Sequence, residues 1–219
     1  MLALVALDKM RSPTKEVENA FHHALHDEST GLITFTLTVL AYSIGGMLPD
    51  QARLEQRLLE LVVHADPGVR GMAAVVIADR APYGEREHTR RAGLIAPLDA
   101  DPHWFVRLCA LAARVRLHDP SVLPALVAML DDQTKNELRV EGWVQLDGSS
   151  ESEVVYSGIY GDTLSIAAVR LLADATKGQP HAFDPTPPDF HDMPSSHRRA
   201  LAEAKAWAEQ NAALLRPPG

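Results

Sequence analysis

Two stretches decide the fold of this chain: Asp66-Pro67-Gly68-Val69-Arg70-Gly71-Met72-Ala73-Ala74 and Asp101-Pro102-His103-Trp104-Phe105-Val106-Arg107-Leu108-Cys109-Ala110-Leu111. Val106 lies 37 residues after Val69, and Arg107 follows Arg70 at the same offset. The two Asp-Pro pairs are only 35 residues apart, so the two turns differ in register by two positions. A repeat of this period predicts stacked units, because one unit alone cannot bury its apolar face.

Each unit reads as a helix, a short turn and a second helix. Pro67 and Pro102 suit the first position of the second helix, because no backbone N–H donor is lost there. Asp66 and Asp101 are predicted to cap the same helix by accepting hydrogen bonds from its first N–H groups. Apolar residues follow at the three-to-four spacing of a helix with a buried face, at Val69, Met72, Ala73 and Val76. The pattern therefore predicts an all-α chain of stacked helical hairpins.

Two further copies extend the repeat in both directions. In a weaker copy, 37 residues earlier, Val69 falls on Leu32 and the Ser-Thr-Gly segment 29–31 replaces the Asp-Pro turn. A later copy begins with the His-Asp-Pro-Ser segment 118–121, which predicts a helix over residues 122–130. The repeat thus extends well beyond its two clearest copies.

An insertion interrupts the last copy. Leu164 matches Val106 at an offset of 58 residues, which is 21 more than one period. Polar and apolar residues alternate on both sides of the turn segment Asp147-Gly148-Ser149-Ser150. This alternation predicts a short β-hairpin or an ordered loop near residues 137–160.

Three aromatic residues of the insertion are candidate binding residues for a protein partner: Trp143, Tyr156 and Tyr160. Each offers a large apolar area with a polar tip, which is typical of residues that anchor protein interfaces. The alternative is that they fold back and cover the helical stack. The sequence leaves both interpretations open.

The Asp-Pro, Val-Arg and Ala-rich sequence of each unit resembles bacterial HEAT-like repeats over about residues 14–177. The resemblance implies an α-solenoid. In that family the turn Asp and the following Arg form a ladder of contacts between adjacent repeats. Here the ladder would comprise Asp66, Arg70, Asp101 and Arg107. Ile33 and Ser165 occupy the Arg position in the first and last copies, so the predicted ladder is short.

The chain divides into a predicted stack over residues 1–177 and a closing segment over 178–219 of the same domain. The closing segment begins as an irregular connector rich in Pro, Asp and His. A final helix near residues 197–215 is predicted to cap the end of the stack.

Composition argues against several classes of function. Lys and Arg number 21 against 29 Asp and Glu, which gives a formal net charge of −8 and argues against nucleic-acid binding. Cys109 is the single cysteine, so no disulfide can form within the chain. No apolar run reaches the length of a membrane span. We therefore expect a cytoplasmic protein with no membrane or nucleic-acid partner.

Motifs for catalysis are weak. His22 and His26 have a spacing that can place two imidazoles on one metal, with His23 and Asp27 adjacent. A catalytic site needs a third ligand, and the Glu that metalloproteases carry between the two histidines is absent. Gly45-Gly46 lacks the Lys-Ser or Lys-Thr of a phosphate loop, and no Gly-x-Ser-x-Gly segment occurs. The sequence therefore predicts no metal, no cofactor and no catalytic residue.

These observations favour a non-enzymatic scaffold or adaptor that binds a protein partner on a helical-repeat surface. One alternative is an immunity-type protein that neutralises a basic toxin, since the chain is acidic. The other is an enzyme, either metal-dependent or resembling the bilin lyases that are built on HEAT-like repeats.

Overall fold

The computed structural model describes residues 15–42, 51–80, 84–135, 137–140, 154–157, 163–186 and 192–215. These ranges contain nine α-helices, and the chain is all-α in class, as predicted. The helices are α1 Lys15–Leu25, α2 Thr30–Tyr42, α3 Gln51–Leu61, α4 Pro67–Asp79, α5 Glu85–Ile95, α6 Trp104–Arg116, α7 Leu123–Met129, α8 Leu164–Thr176 and α9 Met193–Gln210. Two short 3-10 helices, Ala96–Ala100 and Pro120–Val122, precede α6 and α7.

The first eight helices form two layers. Helices α2, α4, α6 and α8 pack one on the next and make an inner layer. Helices α1, α3, α5 and α7 each pack against the inner helix that follows them in the chain. Each helical pair therefore buries its apolar surface against its neighbours as well as against its own partner helix.

Side-chain contacts at both ends show that α4 and α6 run parallel. Arg70, in the first turn of α4, pairs with Asp101, which lies just before α6. At the other end the last residues of the two helices, Asp79 and Arg116, form an ion pair of 2.5 Å. The end of α4 also contacts α2, since Arg80 donates to the Leu40 carbonyl at 2.6 Å. Parallel neighbours place all the beginnings of the inner helices at one edge.

Helix α4 shows why the inner layer forms. Its sequence is apolar or small on every side, and all of its residues from Gly68 to Ala78, apart from the half-buried Arg70, are buried. A helix with apolar residues all round is stable only where other elements surround it. The outer helix α3, by contrast, carries charged residues on its exposed side.

Helix α6 belongs to two hydrophobic cores. Its residues Phe105, Cys109, Ala110 and Ala113 pack with α1 to α5, whereas Leu108, Leu111, Ala112 and Val115 pack with α7, α8 and α9. Burial raises the pKa of the Cys109 thiol to about 12, so this residue is an unreactive part of the core.

The inserted segment leaves the stack between α7 and α8. Strands β1 Glu137–Val140 and β2 Val154–Ser157 are antiparallel, with Glu137 opposite Ser157 and Val140 opposite Val154. The residues between the strands lie outside the described ranges, so the predicted hairpin remains a prediction.

Helix α9 packs on α8 at the end of the chain. It begins at Met193, a few residues before the predicted start, and Asp192 caps it by accepting from the Ser195 N–H. Trp207 is buried against Phe183, and its indole N–H donates to the His181 carbonyl at 2.9 Å. Within the described ranges, no helix is both long and apolar enough to span a bilayer.

The close approach of α4 and α6 depends on Gly71. A Cβ atom at this position would lie 2.8 Å from Cε1 of Phe105 and 3.1 Å from Sγ of Cys109. We expect Gly71→Ala to lower the free energy of unfolding by about 1–2 kcal/mol, because overpacking outweighs the gain in helix propensity. The matched control is Gly93→Ala in α5, where a Cβ meets no atom within 4 Å. This control should raise the free energy of unfolding by about 0.5–1 kcal/mol. Urea titration measures both variants. A stabilising Gly71→Ala change would contradict the proposed close packing.

Candidate functional site

The parallel inner helices give the stack two opposite edges. We call the edge where the inner helices begin the ladder edge and the edge where they end the cavity edge. Helix α6 has 13 residues, so the two edges are about 20 Å apart along it.

At the ladder edge each turn uses two side chains that lie two residues apart. The first side chain accepts a hydrogen bond from the backbone N–H of the second. The second accepts from an N–H in the first turn of the inner helix that follows. The pairs are Asp27 with Ser29, His64 with Asp66, and Asp101 with His103. Successive pairs are 37 residues apart, so the turns repeat with the same period as the helices.

This arrangement corrects the predicted caps. Asp66 caps α4 as predicted, through a 3.0 Å hydrogen bond from the Val69 N–H. The prediction that Asp101 caps α6 and that Pro102 opens it is wrong, because His103 is the capping residue and α6 begins at Trp104. The two-residue difference between the Asp-Pro pairs is the reason: the position equivalent to Asp101 is His64, not Asp66.

Arg70 and Asp101 form a bidentate ion pair between neighbouring repeats. Nε of Arg70 donates to Oδ2 of Asp101 at 2.9 Å, and Nη2 donates to Oδ1 at 3.0 Å. The two side chains are only 14% and 8% exposed. Burial alone would raise the pKa of Asp101, but hydrogen bonds from Arg70 and from the His103 N–H outweigh it and hold this pKa below its usual value.

Arg107 occupies the equivalent position one repeat later. Its Nη1 donates to the carbonyls of Asp101 and Pro102 at 2.8 and 3.1 Å. Nη1 of Arg70 makes the same two contacts, to the carbonyls of His64 and Ala65. Of the four predicted ladder residues, the structure therefore joins Arg70 to Asp101, and it places Asp66 in a cap and Arg107 on its own turn.

The cavity edge is organised by the turn after α6. His118 has a φ of +56°, which places a residue other than glycine in the left-handed region. Its N–H donates to the Val115 carbonyl, and the Asp119 N–H donates to the Arg114 carbonyl. These two bonds form the Schellman motif that ends many helices, in which glycine usually takes the left-handed position. His118 therefore holds a strained backbone at an exposed site.

A cavity of about 590 Å³ opens on one side of this turn, between α5 and the end of α6. The His88 and His118 rings lie side by side there, with centroids 5.9 Å apart and planes tilted by 39°. Behind them Arg114 is buried and bonded to three groups, which are Asp99, Asp119 at 2.8 Å and Ser121 at 2.6 Å. Burial raises the pKa of Asp99 despite the neighbouring guanidinium.

A second cavity, of about 370 Å³, opens on the other side of the turn. It shares His118, Asp119 and Pro120 with the first cavity. Its apolar wall is formed by Val115, Leu123, Ala175, Trp207 and Leu214. Its polar rim includes His118, Asp174, Lys177, Gln179 and His181. Both volumes are in the range of pockets that hold small ligands or single side chains of a partner.

A third, open cavity of about 340 Å³ is lined by Asn19, His22 and His23 of α1, by His26 just after it, and by Arg53. Nδ1 of His26 lies 2.7 Å from the His22 carbonyl, so this nitrogen is engaged by the backbone. Within the described ranges, no three His, Cys, Asp or Glu side chains are arranged to hold a metal ion.

The predicted partner-binding aromatics belong to the inserted segment between α7 and α8. Trp143 and Tyr160 lie outside the described residues. The Tyr156 backbone pairs with Leu138 in the strand pair, but its side chain lies outside the described residues.

In comparisons with known proteins, no protein-family model and no curated protein match the chain.

Sequence reasoning missed the cavity edge. The sequence of segment 118–121 predicts only the start of a helix. Neither the left-handed His118 nor the pairing of Arg114 with Asp99 has a signal in residue spacing. The sole available hint was the His118-Asp119-Pro120 sequence, in which a turn residue precedes a capping residue and a proline.

The Arg70–Asp101 pair predicts a large loss of stability on Asp101→Asn. Removing one charge leaves a largely buried guanidinium without its carboxylate, so the free energy of unfolding at pH 7 should fall by about 2–4 kcal/mol. The control is Glu60→Gln, since Glu60 is 51% exposed and pairs with Arg57 on the surface. This control should change stability by less than about 0.5 kcal/mol.

The same variant has a predictable dependence on pH. Because the folded protein lowers the pKa of Asp101, the stabilisation is complete above the unfolded value of about 3.9. It is lost as the pH falls through the lower folded value. Urea titrations of the wild-type and Asp101→Asn proteins from pH 7 to pH 3 should therefore show that their difference in free energy of unfolding shrinks only in the acidic part of this range. A difference independent of pH would contradict the role of the ion pair.

Strain at His118 can be measured with two substitutions. His118→Gly should be more stable than His118→Ala by about 1 kcal/mol, because only glycine adopts a positive φ without cost. At the exposed helical position Gln56 in α3, the order should reverse, with alanine more stable by about 1 kcal/mol. Thermal or urea unfolding of the four variants tests both predicted orders of stability. Equal stability of the two His118 variants would exclude backbone strain at this position.

Proposed function

We propose that the chain is a HEAT-like α-solenoid that acts as a non-enzymatic scaffold for a protein partner. The observation that carries the proposal is the layered packing of α2, α4, α6 and α8, with the same turn chemistry repeated every 37 residues at the ladder edge. Stacks of this kind present elongated surfaces, which suit a partner that contacts several repeats at once.

The cavity edge is the surface that we propose for the partner. Two adjacent cavities share one exposed turn, so side chains of one partner segment can enter both. The cavity beside Trp207 has an apolar wall and a polar rim, which is the composition that accommodates an aliphatic or aromatic anchor. The buried Arg114 network holds the turn between the cavities in place.

The charge of the chain narrows the class of partner. A formal charge of −8 favours a neutral or basic protein, because like charges slow association and cost free energy at an interface. A basic toxin is one such partner, and an immunity role is the narrower form of the same proposal. The enzymatic alternatives remain predictions.

The proposal is tested by capturing the partner with two matched variants. The tagged chain, expressed at a low level in its source cells, should recover one protein in a stoichiometric complex. Ala175→Arg places a long side chain in the cavity beside Trp207 and should weaken binding at least about tenfold. Ala128→Arg changes an exposed residue of α7 outside both cavities and should leave the affinity unchanged.

Unfolding curves of both variants control for folding. Failure to recover any stoichiometric partner would contradict the scaffold proposal, and equal binding by both variants would exclude the cavity edge. A third variant, with Trp143, Tyr156 and Tyr160 changed to alanine, tests the insertion separately. Weaker binding by this variant would assign the aromatic residues to the interface.

A further inference from the structure

The two ladder arginines have the same position but different surroundings. Nη1 of Arg70 and Nη1 of Arg107 each donate to the carbonyls five and six residues earlier in their own turns. These contacts fix the plane of each guanidinium. In Arg70 the remaining edge, Nε with Nη2, binds both oxygens of Asp101.

The corresponding edge of Arg107 binds no carboxylate in the described part of the chain. The turn that should supply one is recognisable, because Oδ1 of Asp132 accepts from the Thr134 N–H at 2.8 Å, as Oδ1 of Asp101 accepts from His103. The Leu164 N–H then donates to the Thr134 carbonyl, as the Val106 N–H donates to His103. Asp132 nevertheless forms no ion pair with Arg107.

We propose that the Nε and Nη2 edge of Arg107 is a carboxylate-binding site, which an Asp or Glu side chain of the protein partner occupies. A carboxylate bound there would form a second ion pair like that of Arg70 with Asp101, with the carboxylate supplied by another molecule. The carboxylate specificity rests on the geometry of the two turns. The source of the carboxylate rests on the proposed scaffold function, and it requires a partner that extends from the cavity edge to the ladder edge, about 20 Å away along α6.

Two features favour a carboxylate at this position. The planar guanidinium matches two carboxylate oxygens, and Arg70 shows that a guanidinium held in this way accepts them at 2.9 and 3.0 Å. Because Nη1 is already bonded to two carbonyls, Arg107 loses little side-chain freedom when the ligand binds.

The surroundings of Arg107 leave room for a ligand. Arg107 is partly exposed at the ladder edge, and its Nε and Nη2 make no hydrogen bond within the described part of the chain. In the following turn, Asp132 is only partly exposed, and its Oδ1 is bonded to the Thr134 N–H instead of to Arg107. The surplus of acidic residues elsewhere in the chain is compatible with a basic partner that carries one acidic residue here.

The carboxylate site is tested by NMR of the arginine Nε–H groups in the full-length, nitrogen-labelled protein. The titrants are acetate and N-acetyl-glutamate α-amide, with chloride and inorganic phosphate at equal ionic strength as comparisons. We expect a saturable shift of the Arg107 signal with both carboxylates and no saturable shift of the Arg70 signal. No saturable shift at Arg107, or one produced by phosphate alone, would overturn the proposal.

Two arginine-to-lysine variants separate the geometry of the guanidinium from its charge. Arg107→Lys keeps the positive charge but loses the planar guanidinium. Binding of N-acetyl-glutamate α-amide, detected by saturation-transfer NMR, should therefore disappear. Arg170→Lys changes an exposed arginine of α8 and should retain it.

The source of the carboxylate is tested with the captured partner. Arg107→Lys should weaken the complex about tenfold and Arg170→Lys should not. Equal weakening, or none, would overturn the assignment to the partner, although the complex itself would still support the scaffold function. Failure to find any partner would contradict the scaffold function and would leave the NMR result on the carboxylate site intact.

Discussion

The parallel alignment of α4 and α6 is the constraint on which the rest of the structure depends. Arg70 and Asp101 join the two helices where they begin, and Asp79 and Arg116 join them where they end. Between these ion pairs, the absence of a side chain at Gly71 lets the helices approach closely. Once two neighbouring helices are aligned in this way, the next units follow the same geometry. The two edges are consequences of that alignment, not separate features.

The class of the fold could be predicted from the sequence, because apolar spacing and a 37-residue offset both reflect helices that must bury one face. The exact turns could not. Asp, Ser and His can all accept a hydrogen bond from a backbone N–H, so residue type does not reveal which of two nearby residues is the cap. The Asp-Pro pairs at Asp66 and Asp101 look equivalent, yet the hydrogen bonds assign them to different positions.

The cavity edge was less accessible to sequence reasoning. Its central residue, His118, has a positive φ that is uncommon for any residue other than glycine, and the two hydrogen bonds of its turn hold it there. Arg114 is held by Asp99 and Asp119, which come from segments on either side of α6. No local sequence pattern therefore predicts this cluster. The open edge of Arg107 can be recognised only by comparison with Arg70, whose equivalent edge binds the Asp101 carboxylate.

Helix α6 contributes one face to each of two hydrophobic cores. A chain of equivalent repeats can fray from either end, because each unit depends mainly on its nearest neighbours. Here the two halves share a single helix, so losing either core exposes part of the surface that stabilises the other. The molecule should therefore unfold as one cooperative unit, because loss of one core destabilises α6 and, through it, the other core.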